Sequence, residues 1–414
     1  MKNKISVIGA GASGLMAAIT AAECGAEVTV YELNDRPGRK LLLTGSGKCN
    51  LTHDSASAEH YRGSVGQMAD GFLERFSSAD AMDFFNENGL IMYDRDGYVY
   101  PYSFQAASVS DILMLTAERL KVRFVTGAEV TEVIPQNSRF RLALTLKNGK
   151  KTVTADETDH VIIACGGKAA PATGSQGQGY ILAEKLGHRI IPVYPALCGL
   201  KCTEHDCRDA GRVRQRGTVY LYSGNEKVAE DTGEIQFTDY GLSGIPVFNV
   251  SRYAADSQRS VRHGFFCSVD FIPFMKLQEL TAFLEKKVQN SPDIKAVELM
   301  AGTVNMKIAA MILKRTGIRP DTMAAQLGAD KMEKAAYTMK NMEYHVSGVN
   351  SFSEAQTSTG GIAMDEINAV LESVIRPGVY FTGEMLDIDG QCGGYNLQWA
   401  WTSGHIAGLA AAGK

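Results

Sequence analysis

Residues 5–14 read Ile5-Ser6-Val7-Ile8-Gly9-Ala10-Gly11-Ala12-Ser13-Gly14. A β-branched run is a buried-strand signal, and the glycines that follow it fall in G-x-G-x-x-G order. Outward from there, Leu15 to Cys24 is alanine-rich and helical, Gly25 stops it, and Val28-Thr29-Val30-Tyr31-Glu32 forms a second strand ending in an acid. Each part has a task in holding a dinucleotide. Gly9 permits the tight turn, Gly11 lets the backbone approach a pyrophosphate, and Gly14 lets the helix pack close on the strand. The helix N-terminus, entered through Ala12 and Ser13, offers N–H groups and a positive dipole end to phosphate. Glu32 is placed to accept hydrogen bonds from a ribose.

Bulk properties narrow the class. A chain of 414 residues exceeds one ordinary core, so two or three domains are expected. A net charge of −4 supplies no basic field for nucleic acid or an anionic membrane surface. The apolar stretch Gly9 to Ala22 carries the turn glycines and leads into a strand, so it reads as a βα crossover, not a signal peptide. No run approaches the length of a membrane span. The expected setting is therefore the cytoplasm, where eight scattered cysteines are free thiols. Cys198, Cys202, His205 and Cys207 have looser spacings than paired zinc knuckles, and no metal is expected there.

The cofactor is decided further along the chain. Val379-Tyr380-Phe381-Thr382-Gly383-Glu384 is an apolar strand ending in a glycine and an acid, followed by Gly393-Gly394-Tyr395-Asn396 and a helix from about Leu397 to Ala412. FAD proteins of the glutathione-reductase type use such a late strand to bring an acid to the ribityl chain. The next helix aims its N-terminus at the flavin pyrimidine, where negative charge develops. Between the two ends, Thr158-Asp159-His160-Val161-Ile162-Ile163-Ala164-Cys165-Gly166-Gly167 is a buried-type strand running into two glycines. It follows an expected β-meander over Val122–Thr126, Glu129–Pro135, Arg139–Leu146 and Thr152–Ala155, with Asn148-Gly149 as a hairpin turn. Three glycine-ended strands on one Rossmann-like core favour FAD over NAD. The predicted class is α/β: a discontinuous FAD-binding domain from 1–191 and 346–414, a β-rich insertion over 192–272, and a helical part over 273–345.

The chain resembles the HI0933-like, or BaiN-type, family of FAD-dependent oxidoreductases over nearly its whole length. The resemblance rests on Arg36-Pro37-Gly38-Arg39-Lys40-Leu41, on Thr44-Gly45-Ser46-Gly47-Lys48-Cys49-Asn50-Leu51-Thr52, and on Tyr98-Val99-Tyr100-Pro101-Tyr102-Ser103. Thr173-Gly174-Ser175-Gln176-Gly177, Thr359-Gly360-Gly361 and Gly394-Tyr395-Asn396-Leu397-Gln398 complete it. It implies that Arg39, Lys40, Gly45, Gly47, Lys48, Cys49 and Asn50 lie along the pyrophosphate and flavin. The expected cofactor set also takes in Val130, Cys165, Gly166, Gly167, Gly361, Gly383, Glu384, Gly394, Tyr395, Asn396 and Leu397. The chain departs from the family at Lys48, where arginine is common, and at Gln391-Cys392, where a proline–threonine pair is expected.

Two absences shape the activity. A flavin-linked disulfide reductase needs a resolving thiol five residues beyond Cys49, and that position is Asp54. The segment 190–345 has no second G-x-G-x-x-G, so NADH or NADPH would bind transiently at the flavin face. The family resemblance implies reduction of carbon–carbon double bonds conjugated to a ketone, in small apolar steroid- or bile-acid-like 3-oxo compounds. Such a reaction needs a proton donor, and Tyr100, Tyr102 and His345 are the candidates. The rivals are a flavin oxidase of a small amine or similar donor, an RNA-modifying flavoprotein, and a redox-sensing module without turnover. Oligomeric state is not legible.

Overall fold

The structure is a computed structural model that describes residues 2–64, 69–146, 151–155, 157–255 and 264–414. The chain divides into two compact units, 1–194 with 356–414, and 195–355.

The first unit is organised by a five-stranded parallel sheet. Its order is Val379–Phe381, His160–Ile163, Lys4–Ile8, Glu27–Glu32, Arg123–Thr126. The strands are short and apolar because a parallel sheet is covered on both faces; Val7, Val30, Val161, Ile162, Ile163 and Phe381 are all buried. Arg123–Thr126 therefore belongs to the parallel sheet and not to the meander, which consists of Ala128–Gln136, Arg139–Leu146 and Lys151–Thr154. The Asn148-Gly149 turn lies outside the described residues.

One sheet face is covered by the first helix, Ala12–Glu23, which packs on the last, Tyr395–Ala411. The approach is set by two glycines one turn apart. A Cβ at Gly404 would lie 2.4 Å from the Ser13 carbonyl oxygen, and one at Gly408 would lie 2.6 Å from that of Ala17. Two buried indoles then tie the last helix to the loops around it. Trp399 Nε1 donates to the Gly383 carbonyl at 3.0 Å, and Trp401 Nε1 to the Leu51 carbonyl at 2.9 Å.

The second unit is a closed antiparallel barrel with helices inserted in the connections between its strands. The barrel runs Leu200–Cys202, Gly241–Ser243, Glu226–Thr238, Arg214–Ser223, Phe265–Asp270, Met342–Val349 and back to the first strand. Closure removes the exposed edges that short strands would otherwise present. Gly233 faces Gly217 across the ladder, so Glu226–Thr238 runs as one strand through a glycine that by itself looks like a break. The sequence reading returned the chain to the nucleotide domain at 346. The crossing comes at 355, because Met342–Val349 is the strand that closes the barrel, alternating buried and exposed residues along its first six positions. The helices Leu277–Asn290, Met306–Thr316 and Ala329–Lys340 follow the expected helical stretch, and an unexpected helix, Ile245–Ala254, interrupts the β-rich part.

Candidate functional site

The glycine turn has the geometry its spacing demands. Gly9 adopts φ +101°, and a Cβ there would meet the Ala164 carbonyl oxygen at 2.5 Å. A Cβ at Gly14 would fall 2.0 Å from the Gly9 carbonyl oxygen, whereas one at Gly11 would meet no protein atom within 4 Å. So Gly9 and Gly14 serve the fold, and Gly11 leaves open space at the cap of the first helix, whose first turn holds Ala12 and Ser13. Glu32 is buried and held from three sides. Its Oε2 accepts from Ala10 N at 2.8 Å, and its Oε1 accepts from Asn34 N at 2.8 Å and Asn34 Nδ2 at 2.7 Å. Asn34 in turn donates to the Thr173 carbonyl and accepts from Arg39 Nη1, both at 2.9 Å. A carboxylate offers about four acceptor positions, so Glu32 retains one. Asn34 was missed by the sequence reading; its only local signal is its place just after the acid.

The middle and late strands converge on a second carboxylate. Lys40 Nζ lies 2.6 Å from Glu384 Oε2, while Ser358 donates to Oε1 through N (2.9 Å) and Oγ (3.0 Å). A Cβ at Gly167 would sit 2.5 Å from Glu384 Oε1, and Gly383, with φ +67°, leaves a Cβ only 2.7 Å from Ser13 Oγ. Gly361 passes equally close to the Met385 carbonyl. Cys165 packs behind the turn with its Sγ 3.6 Å from the Ile8 carbonyl, and burial pushes its thiol up to about 12. Gly166 is left-handed beside Ser175, and Val130 is buried in the meander.

The segment 41–50 turns sharply. Gly45, Ser46, Gly47 and Cys49 all have positive φ, of 56°, 55°, 85° and 57°. Two of these are not glycine, a local cost that marks segments constrained by function. Within the turn, Lys48 N donates to the Gly45 carbonyl at 3.2 Å and Cys49 N to the Thr44 carbonyl at 3.0 Å. Lys48 is exposed on this loop. Cys49 is fully buried, and burial pushes its thiol up to about 12, so it is a neutral packing group and not a nucleophile. The buried Oδ1 of Asn50 has no hydrogen-bond partner among the described residues.

At the start of the last helix, Gly393 (φ +136°) and Gly394 (φ +94°) bring the chain against its neighbours; a Cβ on Gly394 would lie 2.6 Å from the Thr52 carbonyl carbon. Asn396 fixes this entry by accepting from Gly390 N at 2.9 Å and donating to Gly390 O at 2.8 Å. Leu397 is partly buried against the core. Tyr395 stacks on His60 (4.3 Å, 9°) and His53 (5.1 Å, 14°), with Tyr98 edge-on to His53 at 4.9 Å. His53 Nδ1 lies 3.2 Å from Asp54 Oδ1. The strand Tyr98–Pro101 turns Val99 and Pro101 inward and leaves Tyr98 and Tyr100 half-buried on its other face. Burial, with Cys392 and Tyr98 as neighbours, raises the Tyr100 phenol above its ordinary value. Tyr102 is 66% exposed. His345 lies in the second unit, on the barrel strand, with Nδ1 2.7 Å from Glu204 Oε1 and its side chain 70% exposed. His53 and His60, absent from the expected set, join the site by stacking, which no spacing rule reveals.

FAD fits these residues. Open space faces the helix cap at Gly11, a buried amide oxygen at Asn50 awaits a donor, and glycines remove side chains where the late strand and the last helix begin. Among the described residues no helix is long and apolar enough to cross a membrane, and no group of three or more His, Cys, Asp or Glu could hold a metal.

Comparison with known proteins agrees with this architecture. A 3-dehydro-bile acid delta(4,6)-reductase of Clostridium scindens is 38% identical, with 99% of each chain covered. A ribosomal RNA dihydrouridine synthase of Escherichia coli K12 is 27% identical, covering 96% of this chain and 95% of its own. The fold is shared with 3-ketosteroid delta4-(5alpha)-dehydrogenase from Rhodococcus jostii RHA1, at TM-score 0.51, 15% identity and coverage of 100% and 97%. It is shared also with 3-ketosteroid delta1-dehydrogenase from Sterolibacterium denitrificans, at TM-score 0.54, 13% identity and coverage of 99% and 100%. The family described as HI0933-like protein Rossmann domain matches residues 3–410, and the chain belongs to it as an FAD-dependent oxidoreductase.

Proposed function

We propose that this enzyme reduces a carbon–carbon double bond conjugated to a ketone in a flat apolar molecule of the 3-oxo steroid or bile-acid class. In this reading it works in the cytoplasm, with NADH or NADPH as a transient electron donor. The observation that carries the proposal is the full-length similarity to a reductase of that substrate class.

FAD bound here would supply the two-electron redox chemistry that such a reduction needs. The Gly9–Gly14 turn and the 45–50 loop would hold its phosphates, Glu32 its ribose, and Asn50 a donor of the ring system. Lys40 and Glu384 would orient the ribityl side as a pair. The N-terminus of Tyr395–Ala411 would place a positive dipole end beside the ring, favouring negative charge there. The remaining need is a proton for the α-carbon or enolate oxygen. Tyr100 suits it better than Tyr102 or His345, since it is half-buried on its strand whereas the other two side chains are largely exposed to water. The stack of His53, His60 and Tyr395, met edge-on by Tyr98 from the same strand as Tyr100, offers a flat aromatic surface.

Reduction of a uracil ring in RNA is the second reading, favoured by the dihydrouridine synthase relative. It is the same bond chemistry on a polyanion, and a net charge of −4 weighs against it. Mass spectrometry of products from 3-oxo enones under NADH or NADPH tests the choice. A gain of two hydrogens supports the proposal; reduction of an RNA uridine with every enone untouched would replace it by the second reading.

A further inference from the structure

The His188 side chain is fully buried and bound at both ring nitrogens, although nothing in the proposed reaction uses it. It follows the helix Gln178–Lys185, and its own N donates to the Ala183 carbonyl at 3.0 Å. Nε2 lies 2.7 Å from Ser373 Oγ, and Nδ1 lies 3.1 Å from Glu366 Oε2. Serine, histidine and carboxylate stand in the order of a hydrolytic relay, but Ser373 is buried and its oxygen is taken from the other side. Ile375 N and Arg376 N donate to that oxygen at 3.1 and 2.7 Å. A hydroxyl oxygen has two acceptor positions, so both are filled and its hydrogen goes to His188 Nε2. Nε2 is then the bare nitrogen of the ring, while Nδ1 carries the proton and donates to Glu366.

These contacts fasten a surface turn to the strand that carries the cofactor acid. Ser373 N donates to the Val379 carbonyl at 2.8 Å and Phe381 N to the Leu371 carbonyl at 3.1 Å, so 371–373 lies along Val379–Phe381. The Phe381 ring meets the His188 ring edge to face at 4.8 Å. Thr382, Gly383 and Glu384 follow in the chain, and Glu384 is the carboxylate held by Lys40 and Ser358. Val374, Ile375 and Arg376 are exposed, so the turn can lift without emptying the core. Charges flank the ring on two sides. Glu366 stands at Nδ1, with Arg189 Nε 3.8 Å from its Oε1 and Asp365 paired to Arg189 at 2.8 Å. Arg376 is the neighbouring cation, its Nε donating to the Leu186 carbonyl at 3.2 Å. Glu372 is taken up by Gly378 N at 2.7 Å and Asn368 Nδ2 at 3.2 Å, and Glu184 and Lys185 of the preceding helix are exposed. The strand Val379–Phe381 brings no charge. Burial, opposed by Glu366, lowers the imidazole below its ordinary value.

A proton added to His188 enters at Nε2. There it faces an oxygen that already accepts two N–H groups, so three donors share that oxygen and the serine hydrogen loses its acceptor. Glu366 keeps its hydrogen bond in either state, so the cost falls on Ser373 and its turn. We propose that His188 is a positioning residue for the cofactor site: neutral, it pins residues 371–376 to the late strand, and protonated, it releases them and loosens the hold of Glu384 on FAD. This rests on the reading of Glu384 as a cofactor residue and is independent of which bond the flavin reduces. A histidine neutral in the fold takes up its proton as pH falls below the unfolded value of about 6.5, so the release belongs to the acid side.

The test reads FAD affinity of the full chain against pH. The wild-type dissociation constant is expected to rise between about pH 7.5 and about pH 5.5, approaching roughly tenfold per unit, the limit for one linked proton. His188→Gln offers Ser373 an amide oxygen and takes up no proton, so its curve should be flatter over the same range. A wild-type constant that stays level, or a variant that rises as steeply as the wild type, would overturn the proposal. Hydrogen–deuterium exchange of the wild-type holoenzyme in excess FAD needs no variant. Corrected for the intrinsic rate, residues 371–382 should lose protection at about pH 5.5 while residues 5–14 keep it. Unchanged protection of 371–382 between the two pH values would overturn the release. Failure to bind FAD at about pH 7.5 would overturn the proposal through the reading of Glu384, and the exchange measurement tells that failure from the other.

Discussion

Asn50 and the glycine turn are where the proposed cofactor contacts can be tested atom by atom. Asn50 Oδ1 is buried and makes no protein hydrogen bond among the described residues, so removing it costs the fold little and the cofactor a donor–acceptor pair. Asn50→Ala is expected to weaken FAD binding by roughly tenfold, about 1.4 kcal/mol, while leaving the melting temperature of the cofactor-free protein unchanged. Fluorescence titration of the deflavinated protein checks this, and an unaltered dissociation constant would remove Asn50 from the site. Gly394→Ala acts differently, since its Cβ would strike the Thr52 backbone and its φ is left-handed. It should lower both stability and cofactor retention. At this scale the sequence was readable where chemistry follows spacing: Gly9, Gly11, Gly14 and Glu32 stand in one short stretch. Asn34, His53 and His60 were not, because Asn34 acts by bridging Glu32 to Thr173 and the histidines by stacking on a tyrosine far along the chain.

At the scale of elements, the first and last helices pack backbone to backbone, and both open at the proposed cofactor site. Gly404 and Gly408 let the last helix press on the backbone of the first at Ser13 and Ala17. Gly404→Val should destabilise the protein by about 1–3 kcal/mol through overpacking and loosen FAD, because the displaced residue belongs to the glycine turn. Thermal unfolding with parallel measurement of released flavin checks the pair of effects; lost stability with full flavin retention would separate the helix contact from the site. The two chain ends of the nucleotide domain were legible from glycine-ended apolar strands. The barrel was not, since its closing strand Met342–Val349 looks like the start of the next domain and its long strand Glu226–Thr238 contains a glycine. Closure is a property of strand pairing across more than a hundred residues, and no local pattern encodes it.

For the whole molecule, pH and turnover are the readouts. His60, His160, His188 and His405 all lie in the nucleotide-binding unit, and burial is the first cause lowering each of them. A histidine lowered on folding is neutral in the native state and takes up a proton on unfolding. These groups therefore contribute stability above an unfolded value of about 6.5, lost as pH falls below it through the folded values. Urea midpoints should be lower at about pH 5.5 than at about pH 7.5; equal midpoints would show that these histidines do not govern acid stability. Tyr100→Phe removes the proposed acid and should lower kcat on an enone by roughly 10²–10⁴-fold, with flavin reduction by the nicotinamide unchanged, whereas Tyr102→Phe should be near neutral. The central claim is that electrons pass from a nicotinamide through FAD to an enone. It is tested most directly by anaerobic stopped-flow absorbance of the holoenzyme, mixed first with NADH or NADPH and then with a 3-oxo enone. The account predicts bleaching near ~450 nm, where oxidised flavins absorb, followed by recovery on addition of the enone. A flavin that the enone leaves bleached and only oxygen restores would contradict it.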